Sequence, residues 1–159
     1  NQDVKKDFIK KARKLLGGRF QDKTVGILGL AFKPDTDDIR DAPSITIIRA
    51  LQNDGVKIRA YDPAAMENAK KVWTNSIFCK NPYETCKNSD ILLILTEWNE
   101  FRKLDLARVK KLLRKAIILD GRNIYNKEEV EKLGFKYQGV GRWRKRLLLL
   151  ELPVLPEVI

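Results

Sequence analysis

Histidine is absent from this chain, and cysteine occurs only at Cys79 and Cys86. Two thiols cannot complete a zinc site of four Cys or His ligands. Without an imidazole there is no Ser-His-Asp or Cys-His apparatus. Cys79 and Cys86 therefore read as ordinary reduced thiols. No apolar run approaches the ~20 residues of a membrane span. The charged, polar N-terminal residues do not read as a signal peptide, which makes the cytoplasm the default location. Internal repeats and low-complexity linkers are also missing.

What is present is ordinary for a soluble globular domain. The 159 residues are 43% hydrophobic and 33% charged, enough chain and apolar content for one core. Lysine and arginine total 32 against 21 acidic residues, a net charge of +11. Such an excess suits either a nucleic-acid partner or a lysine-rich surface around a site for an anionic metabolite. The lysines are scattered over several segments instead of forming one stripe with aromatics, which favours the metabolite over nucleic acid.

The hydrophobic pattern alternates between two periods. Asp3 to Leu16 carries Val4, Phe8, Ile9, Ala12, Leu15 and Leu16 at helical spacing and stops at Gly17-Gly18. This helix opens without a start of its own, as the end of a longer segment would. Strands are predicted at Val25–Leu28, Val56–Tyr61, Ser76–Cys79, Asp90–Thr96, Ala116–Asp120 and Phe135–Gln138. Helical segments separate them: one containing Ile45, Ile48 and Leu51, then Ala64–Val72, Pro82–Lys87, Asp105–Leu113 and Lys127–Leu133. Glu97 to Phe101 reads as an aromatic-rich loop. The unbroken run from Ile91 to Leu95 marks a strand buried on both faces, as in a parallel sheet. Alternating strands and helices imply βαβ units. The predicted fold is an α/β, Rossmann-like, doubly wound and mainly parallel sheet of about six strands in a single domain.

One stretch organises this pattern. The first strand contains Gly26, ends at Gly29, and feeds a loop with Lys33, Asp35, Asp37, Asp38, Arg40 and Asp41 within nine residues. Asp41 is placed as the N-cap of the following helix. Gly-x-x-Gly-x-Ala keeps two of the three glycines of the dinucleotide fingerprint. At the tip of the second strand, Asp62 stands where such folds place a ribose-binding carboxylate, although 33 positions after Gly29. A simple turn residue before Pro63 is the other reading. Asp35, Asp37 and Asp38 read as acids paired with Lys33, Arg40 and helix N-termini in preference to a metal cluster.

In an open α/β sheet, ligands bind beyond the carboxyl ends of the strands. Loops there hold Lys33 and Arg40 after the first strand, Thr96, Glu97 and Trp98 after the fourth, and Asp120, Gly121 and Arg122 after the fifth. If strand order reverses between the first and fourth strands, all three loops border one crevice. Lys33 and Arg122 would then face a diphosphate, arginine gripping two oxygens at once. Phe32 would pack on a base. Trp98 and Phe101 fit the core better than a ligand.

Gly29-Leu-Ala-Phe-Lys-Pro-Asp-Thr-Asp-Asp-Ile-Arg-Asp-Ala-Pro-Ser44 resembles the signature of the C-terminal, UDP-binding domain of UDP-glucose 6-dehydrogenases, within the UDP-glucose/GDP-mannose dehydrogenase family. Tyr61-Asp62-Pro63, Ile94-Leu-Thr-Glu-Trp-Asn-Glu-Phe101 and Leu119-Asp-Gly-Arg-Asn123 match in order, and Gly139-Val-Gly-Arg142 looks like the closing motif. Thr-Glu-Trp-x-Glu-Phe is more similar to the UDP-glucose branch than to the UDP-ManNAc or GDP-mannose branches.

The resemblance implies a three-part enzyme with an N-terminal NAD domain, a central helical dimerisation region and this domain. Such enzymes oxidise the sugar C6 alcohol to a carboxylate with two NAD, through a thiohemiacetal on a cysteine. The resemblance places that cysteine, with its lysine and aspartate helpers, in the parts outside this chain, and neither Cys79 nor Cys86 lies in a matching motif. By motif, Phe32, Lys33 and Arg122 are expected to bind the UDP-sugar and Arg40 to reach NAD. Residues 1–17 would be the end of a linker helix, 18–142 the UDP-binding domain, and 143–159 a basic, leucine-rich tail without assignment. The expected partners are a UDP-sugar and further copies of the full enzyme in a homodimer or larger homo-oligomer, with no nucleic acid and no membrane. Alternatives are a UDP-N-acetylmannosamine or GDP-mannose dehydrogenase domain, a non-enzymatic basic nucleotide- or RNA-binding module, and a free-standing NAD-binding domain.

Overall fold

The computed structural model describes residues 2–140. The closing motif beyond Val140 and the tail at 143–159 lie outside the described residues. A helix, α1 (Gln2–Leu15), precedes β1 (Thr24–Leu28), α2 (Pro43–Asn53), β2 (Lys57–Tyr61), α3 (Met66–Val72) and β3 (Ser76–Phe78). The second half runs α4 (Pro82–Cys86), β4 (Ile91–Ile94), α5 (Asn99–Arg102), α6 (Leu106–Leu112), β5 (Ile117–Asp120), α7 (Lys127–Lys132) and β6 (Lys136–Gly139). The six strands form one sheet in the order β3-β2-β1-β4-β5-β6, every neighbouring pair parallel. This is the Rossmann order, with its reversal between β1 and β4.

The unbroken apolar strands are explained by two cores. Successive side chains of a strand point to opposite faces. Val25, Ile27, Ile91, Leu93, Ile117 and Leu119 pack on one face with Phe8 and Ala12 of α1, Ile47, Ile48 and Leu51 of α2, and Ala69 of α3. Leu28, Leu92, Ile94 and Ile118 pack on the other with Cys86, Phe101, Val109 and Val130 from α4, α5, α6 and α7. Gly26 lets α4 approach β1, because a Cβ there would lie 2.9 Å from the Thr85 carbonyl oxygen. Among the described residues no helix is long and apolar enough to cross a membrane.

Helix ends follow local chemistry. Gly17 and Gly18 close α1 with positive φ, and the Gly18 N–H donates back to the Arg13 carbonyl at 2.8 Å. Asn81, Asp105 and Asn126 cap α4, α6 and α7 through their side-chain oxygens. Two expectations are corrected. Asp41 does not cap α2: the cap position is Ala42, without a side-chain bond, and Pro43 at the first turn sets the start. Asp41 itself has φ 59°. Glu97–Phe101 is not all loop, since Asn99–Arg102 forms the short helix α5 and buries Phe101 completely.

Candidate functional site

The loops after β1, β4 and β5 meet at the carboxyl edge beside the strand reversal. Gly29 permits the first contact. Its φ is +98°, and a Cβ would come within 2.5 Å of the Thr96 backbone nitrogen, so no side chain fits. Thr96, fully buried, donates its hydroxyl to the Ala31 carbonyl at 2.6 Å. Buried Ser44 donates to the Leu30 carbonyl at 2.7 Å, tying the start of α2 to the same turn. The Gly121 N–H donates to the Ile94 carbonyl at 2.9 Å, joining the β5 turn to β4. Phe8 of α1 supports that turn from behind, its ring 3.1 Å from where a Gly121 Cβ would lie.

Two buried carboxylates hold the loops in shape. Asp62 Oδ2 accepts from the N–H groups of Leu30 (2.8 Å) and Ala31 (3.0 Å) and from Trp98 Nε1 (3.1 Å). Its Oδ1 accepts from the N–H groups of Ala64 (2.8 Å) and Ala65 (2.9 Å). Both oxygens are engaged inside the domain, so the ribose-binding reading of Asp62 falls. Asp120 accepts from the Arg122, Ile124 and Tyr125 N–H groups and from the Tyr137 hydroxyl at 2.8 Å. Burial, followed by the Asp120 charge, pushes the Tyr125 and Tyr137 hydroxyls well above the usual tyrosine range, so both remain neutral donors.

On this scaffold the candidate ligand residues are presented differently. Phe32 is 36% exposed for a large apolar ring, and the Lys33 ammonium lies 5.3 Å from its centroid. Lys33 is exposed. Arg122 is half-buried, and its Nε donates to Glu97 Oε2. Arg122 and Glu97 therefore neutralise one another across the β4 and β5 loops. Arg40, later in the same loop as Lys33, is 85% exposed and forms a forked pair with Asp38 at 2.8–3.3 Å. That side-chain hydrogen bond chiefly pulls the Asp38 carboxyl down to about 2. An open groove of about 490 Å³ runs from this segment to α3, with Asp37, Asp38, Arg40, Asn68 and Lys71 in its walls. The structure thus places Phe32, Lys33 and Arg122 on connected loops at the reversal, and engages Arg40 with Asp38 in the same β1 loop. Cys79 and Cys86 are both buried and free, and burial raises both thiols, that of Cys86 to about 12.

The sequence profile of the UDP-glucose/GDP-mannose dehydrogenase family, UDP binding domain, matches residues 26–127. The chain belongs to this family. It is 43% identical over 142 residues to UDP-glucose 6-dehydrogenase of Rhizobium meliloti, covering 89% of this chain and 32% of that protein. It is 40% identical over 136 residues to the Pseudomonas aeruginosa UDP-glucose 6-dehydrogenase, covering 82% and 30%. Among solved structures, a UDP-glucose dehydrogenase from Pyrobaculum islandicum superposes with a TM-score of 0.74 at 29% identity, covering 87% of this chain and 30% of that one. A UDP-D-ManNAc dehydrogenase from Pyrococcus horikoshii superposes with a TM-score of 0.69 at 25% identity, covering 88% and 30%. The chain spans about a third of the length of the relatives it matches.

In this member of the UDP-glucose/GDP-mannose dehydrogenase family, the sequence reading missed the inward turn of Asp62, the Glu97 partner of Arg122 and the organising role of Asp120. One signal was available. A threonine closing an otherwise apolar strand, as Thr96 does, needs a buried acceptor, and the glycine-ended β1 beside it supplies one.

Proposed function

We propose that this chain binds the UDP part of a UDP-sugar at the carboxyl edge of β1, β4 and β5, as the C-terminal portion of an NAD-dependent nucleotide-sugar dehydrogenase. The observation that carries the reading is the linkage of the loops bearing Phe32–Lys33 and Arg122 through Thr96 and Glu97. Phe32 offers an exposed ring to the base, while Lys33 and Arg122 offer cations to the diphosphate. UDP-glucose is the sugar nucleotide we assign. The 43% and 40% identical relatives are UDP-glucose 6-dehydrogenases, and Thr96-Glu-Trp-Asn-Glu-Phe101 resembles that branch. The whole enzyme would oxidise it to UDP-glucuronate with two NAD, and Arg40 would meet NAD from outside this domain.

Catalysis is assigned to regions that this chain does not contain. Helix α1 would be the end of the segment leading in from them, and the dimer contacts would lie in that preceding region. The 159 residues alone should show no dehydrogenase activity. Calorimetric titration with UDP, using GDP and NAD as controls, tests the binding site. Saturable UDP binding should weaken about tenfold in Lys33→Ala and again in Arg122→Ala. UDP binding indifferent to both substitutions would remove this reading.

A further inference from the structure

A dinucleotide fold holds its pyrophosphate on backbone N–H groups at the β1 exit and on the N-terminus of the helix that follows at once. Here every N–H from Gly29 to Phe32 already has a partner in the domain. Gly29 donates to the Tyr61 carbonyl at 2.9 Å, and Phe32 to the Asp38 carbonyl at 3.1 Å. Leu30 and Ala31 both donate to Asp62 Oδ2. The carbonyls of Leu30 and Ala31 are taken by Ser44 and Thr96. The next helix begins only at Pro43, whose nitrogen carries no hydrogen.

We propose that Asp62 is a specificity-determining residue that fills the phosphate position of the glycine turn with the chain's own carboxylate. A phosphate oxygen approaching Leu30 and Ala31 would meet an anion already seated on both donors, and like charges at that separation repel. The acid at the tip of β2, which elsewhere grips a ribose, is consumed by the same bonds. A dinucleotide is thereby excluded from the turn. Phosphate recognition passes to side chains, a mode suited to a nucleoside diphosphate at the neighbouring loops. The exclusion stands on the hydrogen bonds alone, and only the destination of the diphosphate rests on the function proposed above.

The test uses the 159-residue chain and its Asp62→Ser variant, with folding checked by thermal melting and NAD, inorganic pyrophosphate and UDP as calorimetric probes. Serine removes the carboxylate and retains a hydroxyl acceptor for the Ala64–Ala65 turn. The unsubstituted chain should show no saturable binding of NAD or pyrophosphate at millimolar ligand. The folded Ser variant should bind both at least about tenfold more tightly, and adding Lys33→Ala should not abolish that gain. A folded Ser variant without the gain overturns the proposal.

Amide spectra of the unsubstituted chain give an independent check that does not require the variant to fold. The Leu30 and Ala31 resonances should hold their positions under millimolar NAD or pyrophosphate. Saturable shifts at those two amides would overturn the proposal as well. UDP titrations of the same samples separate the two ideas. Failure of UDP to bind, alongside a gain in NAD binding, removes the UDP reading and leaves the role of Asp62 intact.

Discussion

The β1 exit and the β5 exit use the same device to different ends. Each is centred on a buried aspartate at or just beyond the end of a strand, Asp62 after β2 and Asp120 at the end of β5, and each adjoins a glycine where an added Cβ would clash. Asp62 gathers donors from three separate loops, at 30–31, 64–65 and 98. Among the described residues, Asp120 gathers donors from the five residues after it and from the Tyr137 hydroxyl. The first arrangement locks long-range geometry and leaves the candidate side chains Phe32 and Lys33 exposed. The second shapes one turn and delivers Arg122 directly into an ion pair with Glu97. A buried carboxylate can therefore be a cross-link or a local template, depending on where its donors lie in sequence.

The glycines give the sharpest contrast in stability. Gly29→Ala should be the most damaging single change, costing about 4 kcal/mol in urea unfolding. It combines a positive φ with backbone and side-chain clashes at Thr96. Gly121→Ala should cost about 2 kcal/mol. Its added Cβ meets the Ile94 carbonyl oxygen at 2.8 Å and a Phe8 ring that can shift. Equal losses at the two sites would erase the distinction.

The aspartates come next. Asp62→Ala and Asp120→Ala should each lose about 3 kcal/mol, because several buried donors lose their acceptor. Their local consequences should differ under hydrogen exchange. Asp62→Ala should release protection in the β1 exit, the 64–65 turn and the Trp98 indole together. Asp120→Ala should release it only between Arg122 and Tyr125. Uniform loss of protection in both variants would contradict the cross-link and template roles.

A smaller effect is expected at Glu97. On the proposed site its carboxylate would compete with the diphosphate for Arg122, so Glu97→Gln should tighten UDP binding about threefold, measured by calorimetry. Weaker binding would instead make Glu97 a support for the bound state.

The mildest prediction concerns the Asp38–Arg40 pair of the β1 loop. Asp38 should titrate near 2, and Arg40→Ala should return it towards 3.8, followed by carboxyl NMR. Because the folded value is depressed, any stability from this pair is present above 3.8 and is lost as pH falls through about 2. An Asp38 midpoint unmoved by Arg40→Ala would break that assignment.

Much of this architecture was legible beforehand, for physical reasons. Ile91–Ile94 and Ile117–Leu119 are apolar without alternation because both faces of the sheet are covered, and that pattern, with helices between the strands, points to a parallel sheet. The crevice could be stated only conditionally, since strand order is a property of packing and not of local pattern. Asp62 is open in sequence to two readings, a ribose-binding acid or a turn residue. It does serve the 64–65 turn, but the N–H groups that also capture it come from residues 31 to 32 positions earlier, which no local pattern shows. Arg122 was recognisable by chemistry, but its pairing with Glu97 depends on two loops meeting. Asp41 has the residue type of a cap, but Pro43 two residues later is the stronger start signal.

The most direct measurement is residue-by-residue amide mapping of the described domain during titration with UDP. Saturable shifts should gather at Phe32, Lys33, Glu97 and Arg122, with Leu30 and Ala31 held still by Asp62. Shifts confined to the groove between Asp37 and Lys71, or spread over the basic surface without saturation, would contradict a UDP site at the β1–β4 reversal.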